Sequence, residues 1–171
     1  MIEIWTKSRI QCLTKLEKEQ WFDVLNNKLE EDRGISLLDP NLKEKQAMIK
    51  KEYIKYLESC SSLSDFYKYY IFKSSDKIVS VCRINVRNNQ YILEGLETHK
   101  DYYRMGHASK LLDFVIKDLK NESIDLLYSE ARTWNLASNN LQIKLGFVKY
   151  AEDDYNNLYV LDIREMYKDY R

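Results

Sequence analysis

The sequence predicts an α/β protein of the α+β mixed-sheet kind, in the order β-α-α-β-β-β-α-β-α-β-β. Period-two strands joined by short polar turns crowd the middle of the chain, and helical apolar stripes flank them on both sides. A strand-helix-strand passage over residues 91–131 calls for a parallel crossover, right-handed by rule. The expected sheet is mostly antiparallel, with one splayed central parallel pair and helices on its faces.

Ile2-Glu3-Ile4 alternates as a short first strand. Thr14-Lys15-Leu16-Glu17 has capping-box form, a hydroxyl followed three residues on by a carboxylate. Trp21, Val24, Leu25 and Leu29 then fall at helical spacing, and Gly34 closes that region. Asp39-Pro40 opens a second helix, where proline suits the first turn; its stripe is Ile49, Tyr53, Tyr56, Leu57 and Cys60. An aromatic strand covers residues 66–72, a second strand Ile78 to Val86 and a third Tyr91 to Thr98. Ser74 to Lys77 and Asn88-Asn89 are the turns of this antiparallel meander. Ala108, Leu111, Leu112, Val115 and Leu119 mark one helix face. A strand follows from Ile124 to Ala131, then a helix from Ser138 to Leu145 that Gly146 stops. Two last strands begin at Phe147 and span Leu158 to Ile163.

At 171 residues, without an internal repeat or a linker-like stretch, one domain spanning residues 1–171 is expected. Lys plus Arg and Asp plus Glu are each 27, so the basic footprint of a nucleic-acid binder is missing. Apolar runs are too short for a membrane span. Cys12, Cys60 and Cys82 form an odd set without metal spacing, and two histidines are too few for a metal centre. The expected compartment is the cytoplasm, and a homodimer stays open.

The chain has only four glycines, Gly34, Gly95, Gly106 and Gly146. Gly106 stands at a strand-to-helix junction. Read alone, it serves either a tight turn or the close approach of an anion to a helix N-terminus. Asn135 caps a helix whose C-terminal stop is Gly146.

Tyr103-Arg104-Met105-Gly106-His107-Ala108 resembles the Arg/Gln-x-x-Gly-x-Gly/Ala signature of the GNAT superfamily of N-acetyltransferases. Tyr103 stands where Arg or Gln is usual, and Arg104 lies one residue late. The run from Asn135 to Phe147 is similar to that family's later segment, Asn-x-x-Ala-x-x-Leu-Tyr-x-Lys-x-Gly-Phe. Asn135, Leu141, Lys144, Gly146 and Phe147 match in register, with Ser138 for Ala and Gln142 for Tyr. The resemblance covers nearly the whole chain and is specific over residues 91–147.

The resemblance implies transfer of an acetyl group from acetyl-CoA, as co-substrate, to a primary amine of a small molecule or protein. It implies cofactor contacts from Leu96, Glu97 and Thr98, from Arg104, Met105, Gly106, His107, Ala108 and Ser109, and from Asn135, Asn139 and Lys144. Lys110 is a further charge partner for the phosphates. An amine must lose a proton before attack, and Glu94 or Glu97 is the carboxylate for it, on opposite faces of a regular strand. Glu94 would share a face with Ile92 and Leu96, whose apolar surroundings would raise its pKa. A backbone N–H near Thr98 and His99 would meet the thioester oxygen. Gln142 cannot give up a proton as the family's tyrosine does, so thiolate departs unaided or Tyr128 or Tyr150 serves. Trp21, Phe22, Tyr53, Tyr56, Tyr155 and Tyr159 either line the acceptor site or pack the core. Two rivals remain: a non-catalytic acyl-CoA-binding module on the same fold, and an interaction protein that binds no nucleotide.

Overall fold

The computed structural model describes residues 1–32, 40–60 and 66–166, without the side chains of 25–32, 53, 56–60 and 66. Strand β1 (Ile2–Trp5) is followed by helices α1 (Lys7–Gln11), α2 (Lys15–Asp32) and α3 (Leu42–Cys60). Strands β2 (Phe66–Ser74), β3 (Lys77–Arg87) and β4 (Gln90–Thr98) form the meander. Then come α4 (His107–Asn121), β5 (Leu126–Arg132), α5 (Leu136–Lys144), β6 (Val148–Glu152) and β7 (Asn156–Asp162).

Seven strands make one sheet in the order β1-β2-β3-β4-β5-β7-β6. The β4–β5 pair is parallel and its neighbours are antiparallel, as the alternation and the crossover predict. Asn88 and Asn89 both take positive φ, 51° and 61°, the two-residue turn whose twist matches a hairpin. The capping box is formed: Glu17 N donates to Thr14 Oγ1 at 3.2 Å, and Thr14 N to Glu17 Oε2 at 3.1 Å.

Each face of the sheet has its own core. Leu111, Leu112, Val115, Ile116 and Leu119 of α4 pack with Cys82 and Ile84 of β3, Leu93 of β4 and Leu127 of β5. On the other face Ile10, Leu13, Trp21 and Val24 pack with Tyr69, Ile71, Ile78 and Val81. Trp21 stands edge-on between Trp5 and Tyr69, at centroid distances of 5.5 and 4.5 Å. Among the described residues no helix is long and apolar enough to cross a membrane.

Three expectations need correction. The five-residue α1 is additional; its start at Thr6 has no side-chain cap and so no sequence signal. Ile124 is buried in the turn before β5, which begins at Leu126. The strand β4 is also irregular, with consequences for the site. Gly34, Asp39 and Cys60's side chain lie outside the described residues.

Candidate active site

Pairing between β4 and β5 lasts for three positions, Tyr91 with Leu127, Ile92 with Tyr128 and Leu93 with Ser129. Beyond Leu93 the two strands separate. A cleft of about 450 Å³ opens there, lined by Arg83, Arg87, Glu94 and Glu97 from one side. Ser129 to Arg132 of β5 and Asn135, Ser138 and Gln142 of α5 line the other.

The divergence comes from a bulge. Arg83 faces Glu94 and Val81 faces Glu97, so Gly95 and Leu96 together oppose Cys82. Gly95 accommodates the extra residue at φ 58°, a left-handed conformation that glycine takes without a steric penalty. Arg83 and Val81 are two residues apart on β3 and therefore share a face. Glu94 and Glu97 consequently share that face too, contrary to the opposite faces expected of a regular strand. Leu96 turns the other way and packs on the α4 core.

Glu94 does not meet the apolar surroundings expected for it. Its Oε2 accepts from Arg83 Nε at 3.0 Å, Arg83 Nη2 at 2.7 Å and Asn85 Nδ2 at 2.7 Å. Its Oε1 is 2.8 Å from Arg87 Nη2. Both oxygens are thus engaged, which removes the reason for choosing Glu94 as the proton acceptor. Arg83, Asn85 and Arg87 were overlooked in the sequence, although 83, 85 and 87 form a polar stripe on a strand otherwise full of buried residues. Glu97 is anchored through its backbone, whose carbonyl accepts from Ser80 Oγ at 2.7 Å.

The amide expected at Thr98–His99 is also engaged: His99 N donates to Val79 O at 2.8 Å. Thr98 Oγ1 is 2.9 Å from Ser80 Oγ. The irregularity lies at Gly95–Leu96, so the peptide displaced from the ladder is there.

The loop before α4 carries two left-handed residues, Arg104 at φ 61° and Gly106 at φ 78°. Gly106 is the N-cap of α4 and supplies no side-chain cap. First-turn N–H groups lack intrahelical acceptors, and the helix dipole adds positive potential there. A Cβ on Gly106 would meet nothing within 4 Å, so the space over this helix end is open. Arg104, Met105 and Lys110 are exposed around it, with Ala108 and Ser109 half-buried in the first turn.

His107 places its ring in the protein, 4.8 Å from Phe72 and 5.7 Å from Tyr102 between centroids. Burial first, then the Lys110 charge, lowers its pKa, which keeps the ring neutral at pH 7. Its Nδ1 is buried without a hydrogen-bond partner. His107 therefore faces the loop through its main chain rather than its imidazole.

On α5, Asn135 caps the helix, its side chain accepting from Ser138 N at 3.1 Å. Gln142 is 3% exposed and its Oε1 is buried without a partner at the cleft wall. Asn139 has a different place from the one expected. Its Nδ2 donates to Arg132 O at 2.9 Å and Asn135 O at 2.8 Å. Its Oδ1 accepts from Tyr159 OH at 2.7 Å and Asn157 Nδ2 at 2.9 Å. The amide ties α5 to β5 and β7 instead of facing the cleft. We expect Asn139→Ala to destabilise the fold by about 2 kcal/mol, because it strands the buried Tyr159 hydroxyl, while the Arg132 and Asn135 carbonyls keep their backbone donors. Urea unfolding measures it. Lys144 lies exposed in the last turn of α5, suited to the negative end of the helix dipole.

Of the aromatic residues expected at the acceptor site, Trp21, Phe22 and Tyr159 are core, and Tyr155 is exposed. The side chains of Tyr53 and Tyr56 lie outside the described residues. Tyr128 and Tyr150 stack edge to face at 6.2 Å, and neither lines the cleft.

Solved structures share this architecture. The PaiA N-acetyltransferase of Thermoplasma acidophilum, in complex with coenzyme A, aligns at TM-score 0.67 and 16% identity, over 95% of this chain and 99% of that one. Campylobacter jejuni PseH, an N-acetyltransferase in complex with acetyl coenzyme A, aligns at 0.65 and 16%, over 95% and 99%. The Escherichia coli ribosomal-protein-S18-alanine N-acetyltransferase aligns at 0.61 and 18%, over 95% and 94%. At these identities they show the fold. No curated protein matches the sequence as a relative. The family model of the GNAT acetyltransferases matches residues 13–147. The chain belongs to the GNAT acetyltransferase family. It is thus an acyltransferase with acetyl-CoA as co-substrate. The GNAT match takes in the bulge, the loop before α4 and the whole of α5.

Proposed function

We propose that this chain is an N-acetyltransferase that moves an acetyl group from acetyl-CoA directly to a primary amine. The observation that carries the reading is the splay of β4 from β5 beside the uncapped, glycine-led N-terminus of α4. The residues present suit the donor. The Arg104–Ser109 stretch offers backbone N–H groups and positive potential to a pyrophosphate. Asn135 and Gln142 suit the polar arm between β4 and α5, and the orphaned Gln142 Oε1 awaits a donor.

In the reaction the amine nitrogen forms a bond to the thioester carbonyl carbon, and the carbon–sulfur bond breaks. The CoA thiolate leaves with the electron pair. With a thiol pKa of roughly 8.5, departure near neutral pH needs no strong acid, so Gln142 is compatible with turnover. Glu97, directly or through water, is our assignment for the carboxylate that takes the ammonium proton. The displaced peptide at Gly95–Leu96 is our assignment for the donor facing the thioester oxygen. Cys12 and Cys82 are free thiols, which favours a reducing compartment such as the cytoplasm.

Acetyl-CoA at a hundredfold excess over Kd should stabilise the protein by about 2.7 kcal/mol in a thermal melt. Thiol release with a panel of primary amines should then show turnover. Stabilisation without turnover on any amine would instead favour the non-catalytic acyl-CoA module, the reading for which Gln142 speaks. No stabilisation at millimolar acetyl-CoA would sink both.

A further inference from the structure

The loop that joins β5 to α5 presents an indole that belongs to neither core cluster. Trp134 is 65% exposed, with exposed Leu136 beside it in the chain. We propose that the Trp134 ring is a stacking platform for the adenine of acetyl-CoA. The inference rests on the placement of the pyrophosphate at the start of α4 and extends it to the nucleoside end of the co-substrate.

The topology brings this loop to the pyrophosphate. Strands β4 and β5 are parallel, so their C-terminal ends lie at one end of the sheet. From that end β4 leads through the Arg104–Gly106 turn into α4, and β5 leads through residues 133–135 into α5. Both helices cover the same face. The α4 stripe belongs to one buried cluster, and Leu141 and Leu145 of α5 pack against it. The N-termini of α4 and α5 therefore flank the splay from neighbouring strands, which stand about 4.8 Å apart where they still pair. Trp134 falls in the chain between Arg132 and Asn135, both of which line the cleft. In coenzyme A one ribose separates the pyrophosphate from the base. A pyrophosphate at α4 thus keeps the adenine within reach of the loop across the splay.

The loop is tied down before any ligand arrives. Asn135 N donates to Arg132 O at 2.9 Å, and Leu136 N to Trp134 O at 3.0 Å. Thr133 N donates to Tyr155 O at 2.9 Å, which fastens the loop to the β6–β7 turn. Arg132 Nη1 donates to Asn156 Oδ1 at 3.2 Å, and its guanidinium carbon stands 5.7 Å from the centroid of the Trp134 ring. A cation over an indole is attracted to it, so Arg132 holds the ring from one side. A ring ordered in advance loses little freedom on binding. The exposed remainder of the indole offers its π-surface to a flat partner, and a purine stacks on such a surface without needing a polar contact.

Fluorescence and calorimetry test the platform. Trp5 and Trp21, the other two tryptophans, are buried, so quenching by a stacked purine reports on Trp134. Acetyl-CoA should quench the wild-type emission. Trp134→Ala should bind acetyl-CoA roughly tenfold more weakly, the loss of one base–aromatic stack. Trp134→Phe should keep most of the affinity and lose the quenching. S-acetyl-4′-phosphopantetheine retains the thioester arm and a phosphate but lacks the adenosine. It should bind wild type and Trp134→Ala alike and leave the emission unchanged. Unchanged emission on saturation with acetyl-CoA, wild-type affinity in Trp134→Ala, or equal losses for both donors would overturn the inference and leave the α4 site standing. A raised acceptor KM in Trp134→Ala with donor affinity intact would overturn it by giving the ring to the acceptor. Absence of acetyl-CoA binding to wild type, or undiminished binding by Gly106→Val, would remove the α4 site and this inference with it.

Discussion

Gly106→Val should reduce acetyl-CoA affinity by at least about a hundredfold while the domain stays folded. Gly106 sits at φ 78° as the N-cap of α4. A β-branched residue disfavours that conformation by about 1–3 kcal/mol. Relief would come from rotating the peptide, which turns the first amides of α4 away from the open space above them. If the turn holds instead, the new side chain projects into that space, where nothing of the protein lies within 4 Å. A phosphate bound at this helix end would lose amide donors in the first case and meet the side chain in the second. The strain is smaller than the 5–15 kcal/mol that stabilises a typical domain, so circular dichroism should report a native spectrum. Gly106→Ala, with one methyl and less backbone strain, should fall between wild type and valine in the acetyl-CoA melt shift. Normal acetyl-CoA binding by the valine variant would mean that the anion cradle lies elsewhere.

The features legible in the sequence are those set by local rules. The Asn88-Asn89 turn, the Thr14–Glu17 capping box, the Asn135 cap and the α4 stripe each involve residues within a few positions of one another. The meander and the parallel β4–β5 pair followed from turn length and crossover geometry, and family membership from two short segments. The bulge was not legible, because period-two reasoning assumes a regular strand, and Gly95 alone does not announce an inserted residue. That one residue moved Glu97 onto the face of Glu94 and shifted the displaced peptide away from Thr98 and His99. Partners across strands were equally hidden. Glu94 and Arg83 are 11 residues apart, and which side chain faces which depends on the register. Asn139 shows the same limit: its position on α5 suits a cofactor contact, and only the placement of Tyr159 and Asn157 shows its amide to be engaged.

Exchanging the two carboxylates of β4 for amides should separate the proton acceptor from the residue that positions the arginines. Glu97→Gln should lower kcat about 10²- to 10⁴-fold near neutral pH, the range associated with losing a general base. The loss should shrink as pH rises, because more of the amine is then free base without assistance. The acetyl-CoA KM should stay near its wild-type value. Glu94→Gln should behave differently. An amide cannot neutralise Arg83 and Arg87, and its NH₂ faces one guanidinium with a donor where an oxygen had accepted. Half-exposure of Arg87 lets solvent screen part of the imbalance, so the destabilisation should be about 1–2 kcal/mol. The shape of the pH–rate profile should stay that of wild type, because Glu97 is untouched. If Glu94→Gln instead flattened the acid limb and Glu97→Gln kept it, the roles would be reversed. The arginines would then serve to orient the proton acceptor.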